Sequence, residues 1–182
     1  LNVACEKNHS KVVGMLLAVD GIQVNQANKE GWTPLNVACE KNHSKVIERL
    51  LAVDDIQVNQ ANNDGVAPLY VACEKDHLKV VERLLAVDDI QVNQANNEGF
   101  APLYVACEKG HLKVVERLLA VDDIQVNQAN NEGTTPLSVA CLYGHSKVVK
   151  MLLTVVDIQV NQASNNGWTP LNCACEKGNS KV

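Results

Sequence analysis

A cysteine followed four residues later by a histidine is the first spacing in this sequence that could do chemistry. The pair Cys39 and His43 is typical, and it has counterparts at Cys5/His9, Cys73/His77, Cys107/His111 and Cys141/His145. Cysteine and histidine at such a spacing could supply half of a zinc site. The cysteine, however, falls on the apolar face of a predicted helix, and the histidine falls beyond the turn that follows. We therefore interpret both residues as part of the scaffold and predict no metal site.

Catalysis is disfavoured because the reactive side chains are repeated. A catalytic site needs a unique constellation of residues in a pocket, whereas Cys39 and His43 recur at regular intervals and Ser44 recurs in several copies. The sequence contains no phosphate-binding P-loop and no dinucleotide-binding glycine motif. It therefore predicts a protein that is not an enzyme and that needs no cofactor.

These residues recur because the whole sequence repeats with a period of 34 residues. Cysteine, proline and glycine each return at that interval, with the glycines at Gly31, Gly65, Gly99, Gly133 and Gly167. A fixed period of about 20 to 50 residues is typical of solenoids, in which each unit buries its core against its neighbours. A residue present in every copy is therefore expected to be structural, and function is sought where the copies differ.

The repeats predict a single array over residues 1–182. Cut before each glycine, it contains a partial unit 1–30, full units 31–64, 65–98, 99–132 and 133–166, and a partial unit 167–182. Units 65–98 and 99–132 differ at only two positions, and this identity favours one continuous domain. The array begins at Leu1 inside a unit and stops at Val182 before the leucines of a second helix. We expect both end faces to be apolar and complementary, as in an excerpt of a longer array or one protomer of an end-to-end stack.

The sequence of each unit predicts two short helices and a loop. In unit 31–64, Thr33 and Pro34 are typical of a helix start, and the first helix is expected over 34–41. Asn42 and its equivalents are all Asn, Asp or Gly, which accept a left-handed backbone and predict a tight turn. The second helix is expected over 44–53, with an apolar stripe that includes Ile47. Turn-forming residues from Asn59 to Gly65 predict a hairpin-like loop.

These motifs resemble the ankyrin repeat along the whole chain. The matching stretches include GWTPLNVACEKNH, GHLKVVERLL and QVNQAN, and many positions of the family motif agree in order and in every copy. The resemblance implies an all-α solenoid of stacked helix-turn-helix units with protruding hairpin-like loops. The typical family unit has 33 residues, so one residue is inserted here before the Val-Asn pair. The histidine of the family's Thr-Pro-Leu-His motif is also replaced, by Asn36, Tyr70, Tyr104, Ser138 and Asn172.

The residue that replaces this histidine correlates with the residue at the helix N-cap. Units that keep threonine at the cap have Asn or Ser three residues later, whereas Ala67 and Ala101 are followed by Tyr70 and Tyr104. We expect Thr33 to hydrogen-bond Asn36, and a tyrosine ring to cover the neighbouring loop where the cap is lost. Loss of such a cap costs about 1 kcal/mol.

Variation between the copies marks a candidate partner-binding surface. The residue after each glycine lies near the hairpin tip on the concave side in the family, where partners commonly bind. In unit 133–166, Leu142 and Tyr143 also replace a Glu-Lys pair that every other copy has. Exposed aromatic residues are good interface anchors. The alternatives are packing on the next loop and simple drift of one unit. The predicted partner-binding residues are Trp32, Val66, Phe100, Thr134, Trp168, Leu142 and Tyr143.

The resemblance also implies a candidate modification site at the asparagine of the Val-Asn pair. A leucine lies eight residues before Asn59, Asn93 and Asn127, and in ankyrin proteins of animals this arrangement looks like a site of asparaginyl hydroxylation. The alternative is an asparagine that hydrogen-bonds the loop backbone.

The composition limits the classes of molecule that this chain is expected to bind. The net charge of −5 argues against a nucleic-acid backbone as partner, and no apolar run reaches the length of a membrane span. The six periodic cysteines are expected to form a buried, reduced file without disulfides, which favours the cytoplasm. The leading function is a non-catalytic scaffold that binds a protein partner through the concave, hairpin-tip surface. The alternative is a self-assembling array in which copies stack end to end into a rod or fibre.

Overall fold

The regular secondary structure of residues 1–176, the part that this computed structural model describes, consists of eleven helices. The all-α prediction is therefore confirmed for these residues. The helices are α1 (Asn2–Glu6), α2 (Ser10–Leu17), α3 (Pro34–Glu40), α4 (Ser44–Leu51), α5 (Pro68–Glu74), α6 (Leu78–Leu85), α7 (Pro102–Lys109), α8 (Leu112–Leu119), α9 (Pro136–Leu142), α10 (Ser146–Leu152) and α11 (Pro170–Glu176).

The first helix of each repeat begins where the sequence predicts, at the proline. In α3 the Thr33 hydroxyl accepts a hydrogen bond from the Asn36 backbone N–H at 3.1 Å, and Asn36 Oδ1 accepts one from the Thr33 N–H at 3.1 Å. This reciprocal pair satisfies two backbone donors that a helix start leaves without intrahelical partners. The helix ends at Glu40, one residue earlier than expected, because Lys41 already has ψ near 1°.

The second helix buries one apolar stripe in each repeat. In α4, Val46, Ile47 and Leu50 are fully buried. The helix ends at Leu51, two residues before the expected Val53. The Val53 N–H bonds the carbonyl of Leu50, which closes a three-residue turn instead of continuing the α-helix.

The turn between the two helices has the predicted left-handed residue. Asn8, Asn42 and Asp76 have φ of 58°, and Gly110 and Gly144 have φ of 70° and 71°. Asparagine and aspartate tolerate this region better than other side chains, and glycine occupies it without penalty. The sixth equivalent, Gly178, lies outside the described residues, as does the chain end at Val182.

Contacts divide the chain into two compact units, Leu1–Gln91 and Val92–Val182. In the first, α1 packs on α3 and α3 on α5, while α2 packs on α4 and α4 on α6. In the second, α7 packs on α9 and α9 on α11, while α8 packs on α10. First helices therefore pack on first helices and second helices on second helices within each unit. That the whole of residues 1–182 is one array stays a prediction.

Candidate partner-binding surface

One asparagine side chain organises each of the first four hairpin tips. Asn28 Oδ1 accepts hydrogen bonds from the backbone N–H groups of Glu30 at 3.0 Å and Trp32 at 2.9 Å. The Asn28 N–H in turn donates to the Trp32 carbonyl at 2.9 Å. The residue after the glycine is thus held at both of its backbone polar groups. The same arrangement recurs at Asn62, Asn96 and Asn130.

Neighbouring tips are tied together by a second asparagine. The Asn63 N–H donates to the Glu30 carbonyl and its Nδ2 donates to the Lys29 carbonyl, both at 3.1 Å. Gly31 has φ of 83°, and a Cβ placed there would lie 2.5 Å from Asn63 Oδ1. Glycine is required here both for the backbone conformation and for the close approach. In the second unit, Asn131 and Asn165 make equivalent bonds to the preceding tip.

The first hairpin tip and the first helices line a common groove of about 510 Å³. Trp32 and Glu30 contribute one wall from the hairpin, and Glu6 contributes from the end of α1. Glu40 and Lys41, at the end of α3, complete the polar rim. The groove therefore combines one large aromatic ring with several charged groups.

All seven predicted binding residues have some surface exposed. Trp32, Val66, Phe100, Thr134 and Leu142 are half-buried. Tyr143 is 54% exposed and Trp168 is 40% exposed. The structure brings Trp32 into the groove of the first unit and places Trp168 in a separate groove with Asn172 and Glu176. Their use by a partner stays a prediction.

The second unit contains two stacked pairs of rings. Phe100 stacks on Tyr104 with ring centroids 4.8 Å apart, and Tyr143 lies 6.3 Å from the His145 ring. Burial raises the pKa of the Tyr104 phenol, and the charges of Glu108, Tyr143 and Glu132 raise it further. Tyr104 is buried and Phe100 is half-buried, so Phe100 presents the accessible ring of this stacked pair.

The helix caps follow the predicted division between threonine and alanine units. The Thr135 hydroxyl accepts from the Ser138 N–H at 3.1 Å, and Thr169 makes the equivalent bond to Asn172. Ala67 and Ala101 provide no side-chain cap. Tyr104 stacks on the loop residue four positions earlier, Phe100, which belongs to its own repeat.

The histidines act in the scaffold, as their regular recurrence indicates. His43 Nδ1 lies 2.8 Å from the carbonyl oxygen of Cys5. His77 Nε2 lies 3.1 Å from the carbonyl of Glu40, and His145 Nε2 lies 2.8 Å from that of Glu108. Each ring therefore links the start of a second helix to the first helix of the preceding repeat.

The cysteines are free thiols, and their burial differs from the prediction at one position. Cys5 and four of its equivalents are buried, but Cys175 is exposed, so its predicted burial is wrong. Cys173, two residues earlier on α11, is buried. Burial raises the pKa of Cys5 and Cys141 to about 11. Within residues 1–176 no group of three potential ligands could hold a metal ion.

The asparagine of the Val-Asn pair connects successive loops. Asn59 Nδ2 donates to the Asp89 carbonyl at 2.7 Å, and its Oδ1 accepts from the Gln91 N–H at 2.9 Å. Asn25, Asn93 and Asn127 make the same pair of bonds. The structural use of this side chain is therefore clear, while hydroxylation of Asn59, Asn93 and Asn127 stays a prediction that intact mass after exposure to a hydroxylase would decide.

Sequence reasoning missed the carboxylates of the first groove. Glu6 and Glu40 occupy a position that is glutamate in five of the six copies, so a search for variation passed over them. The signal that could have found them is the coincidence of an acidic hairpin tip, Glu30, with acidic first-helix ends.

No helix within residues 1–176 is both long enough and apolar enough to cross a membrane.

Comparison with known proteins identifies the same repeat. A family model described as ankyrin repeats in three copies matches residues 1–96, 54–130, 87–163 and 123–182. The crystal structure of EF0377, an ankyrin repeat protein, superposes with a TM-score of 0.91 at 25% sequence identity. That match covers 99% of this chain and 92% of the other. No curated protein matches in a sequence search.

Proposed function

The chain belongs to the ankyrin repeat family, and we propose that it is a non-catalytic scaffold that binds a protein partner through its hairpin tips and the ends of its first helices. Ankyrin repeats generally mediate interactions between proteins. The proposal adds the surface and the residues that carry it. No catalytic step is assigned, because the polar residues of the grooves recur from copy to copy as parts of the scaffold.

The observation that carries the proposal is where the repeats differ. Core residues such as Leu35, Leu69 and Leu103 are identical and buried, whereas the residue after each glycine varies among Trp, Val, Phe and Thr. None of the five residues at that varying position is fully buried. Accessible aromatic side chains on a rigid frame are typical of interface anchors.

Leu142 and Tyr143 strengthen the proposal in the second unit. They occupy the end of α9 and its C-cap, where α3 has Glu40 and Lys41. The exposed Tyr143 ring in place of an ammonium group makes this surface more apolar without changing the helix. A site that gains accessible apolar area at one position is suited to a protein partner.

The test is selection of ligands from a random peptide library on the intact chain. Trp32→Ala removes the anchor of the first unit. The double change Leu142→Glu with Tyr143→Lys restores the ordinary pair of the other repeats, so the fold should be retained. We expect the selected peptides to lose affinity for one of these two variants. Lys147→Ala, an exposed position on α10, is the control and should keep wild-type affinity. Ligands that are insensitive to both surface variants would contradict the proposal.

Self-association is the second candidate, and exposed apolar side chains favour it. Val3 is 70% exposed where its counterpart Val71 is 2% exposed, and Leu171 is 71% exposed where Leu137 is 2% exposed. Copies that stack through such residues would show a solution mass that rises with concentration. Val3→Glu should then lower the mass at high concentration. A mass of 19.8 kDa at all concentrations would exclude this second function.

A further inference from the structure

The groove beside Trp32 is acidic as well as aromatic. Three carboxylates line it, from Glu6, Glu30 and Glu40, against the single ammonium group of Lys41. Lys41 Nζ lies 3.5 Å from Glu40 Oε2 and Lys7 Nζ lies 3.5 Å from Glu6 Oε1, so each of these lysines is directed at one carboxylate and the three carboxylates still outnumber the two lysines. Glu30 and Glu6 are exposed and lie on the two sides of the groove, on the hairpin and on α1. The local charge therefore favours a cationic ligand.

The hairpin wall of this groove is fixed in place. Both backbone polar groups of Trp32 are bonded to Asn28. The Glu30 N–H donates a hydrogen bond to Asn28 Oδ1, and the Glu30 carbonyl accepts one from the Asn63 N–H. The indole and the adjacent carboxylate thus project from a backbone that is held on both sides. A preorganised pair of this kind loses little freedom when a ligand binds.

The other tryptophan lies in a different chemical setting. The groove of about 510 Å³ at Trp168 has Asn166 at the position of Glu30, and Glu176 is the only carboxylate among the described residues that line it. In the repeat before Trp168, Leu142 stands at the position of Glu6. Equivalent carboxylates recur at the next two hairpin tips, but there Val66 and Phe100 replace the tryptophan. Trp32 is therefore the tryptophan that has the acidic set, and Trp168 is a natural contrast to it.

We propose that the Trp32 groove binds an arginine side chain from an extended basic segment of the protein partner. The guanidinium would lie over the indole face of Trp32, which attracts cations, with the carboxylates of Glu30 and Glu6 on either side. Arginine fits better than lysine because its planar group can stack on the ring and donate two parallel hydrogen bonds to one carboxylate. The net charge of −5 would assist the approach of such a partner. This inference rests on the proposed function and specifies the partner's chemistry.

The two tryptophans allow a direct optical test. In the full chain carrying Trp168→Phe, Trp32 is the only tryptophan left. The probe is a synthetic acetyl-Gly-Arg-Leu-Arg-Leu-Gly-amide peptide. Matched peptides carry lysine, glutamate or glutamine in place of both arginines. We expect a saturable change of Trp32 emission with the arginine peptide, a weaker one with lysine, and none with glutamate or glutamine. Equal responses to the arginine and glutamine peptides would overturn the inference.

Variants with matched charge locate the binding. Affinity for the fluorescently labelled arginine peptide should fall about three- to thirtyfold in Trp32→Ala, the range expected for loss of a cation–π contact. Glu30→Gln should also weaken binding, whereas Asp54→Asn, which removes the same charge from an exposed loop position, should not. Trp32→Phe keeps an aromatic ring and should retain part of the affinity. Equal losses of affinity in Glu30→Gln and Asp54→Asn would indicate generic charge attraction and would contradict binding in the Trp32 groove.

The outcomes separate this inference from the proposed function. If the glutamine or glutamate peptide binds at Trp32 as well as the arginine peptide, the surface still binds peptides and only the arginine assignment is wrong. If none of the four peptides binds, the inference is also wrong. The proposed function then depends on whether library-selected ligands are lost in the Trp32→Ala and Leu142→Glu/Tyr143→Lys variants.

Discussion

Single side chains decide how firmly each first helix begins. The Thr33 hydroxyl caps α3 and also donates to Asn36 Oδ1 at 2.6 Å, and both residues are buried. Thr33→Ala should lower the free energy of unfolding by about 1–2 kcal/mol, because it removes the cap and leaves Asn36 partly unsatisfied. Urea unfolding followed by circular dichroism measures this change.

The reverse substitution is the matched control for the cap. Ala67 begins α5 with an extended backbone, φ −83° and ψ 162°, close to that of Thr33. Ala67→Thr should therefore gain a cap to the Tyr70 N–H and raise stability by a few tenths to about 1 kcal/mol. A loss of stability at Ala67, or no loss at Thr33, would show that the caps are unimportant in these repeats.

Buried thiols should make the folded chain less stable at alkaline pH. Burial raises the pKa of Cys73 far above its ordinary value of 9.0. The unfolded chain therefore loses the Cys73 proton near pH 9 while the folded chain keeps it, so stability is full below pH 9 and falls above it. One such thiol lowers the free energy of unfolding by about 1.4 kcal/mol per pH unit in that range.

The contribution of one thiol can be isolated by substitution. Between pH 8 and pH 10, Cys73→Ala should lose about 1 kcal/mol less stability than the wild-type chain. Cys175→Ala should behave like wild type, because Cys175 is exposed. Identical pH profiles for Cys73→Ala and the wild type would show that Cys73 ionises freely in the folded chain.

Between elements, asparagine bridges fix the spacing of successive loops. Asn59 bonds the backbone of the next loop with both ends of its amide, and Asn59→Ala should cost about 1–3 kcal/mol. Asn161 is the exposed equivalent in the last full repeat. Asn161→Ala should change the unfolding free energy by less than about 0.5 kcal/mol. Thermal and urea unfolding compare the two, and equal effects would contradict a bridging role.

The elements themselves could be predicted where local chemistry is decisive. Thr33 with Pro34 predicts the start of α3, and the restriction of position 42 to Asn, Asp or Gly predicts its left-handed turn. The end of α4 could not be predicted, because Ala52 and Val53 are compatible with helix and the tighter turn arises from the fold. Burial of Cys175 was expected from periodicity alone, but burial depends on which elements pack against that face of α11.

The candidate surface was predictable only where the copies differ. Variation identifies Trp32, Leu142 and Tyr143 without coordinates. The carboxylates of Glu6 and Glu40 carry no such signal, because glutamate at that position is the rule. Their meaning appears only when the structure places them beside Glu30 and Trp32 in one groove.

For the whole molecule, the central claim is that partners bind to hairpin tips and first-helix ends, and hydrogen–deuterium exchange measures it most directly. The ligand is the tightest peptide selected on the intact chain, and exchange is compared with and without it. We expect slowed exchange at the tips, residues 28–32 or 164–168, and at the helix ends, residues 38–41 or 140–143. Slowed exchange confined to the second helices α4, α6, α8 and α10, with the tips unchanged, would contradict the claim.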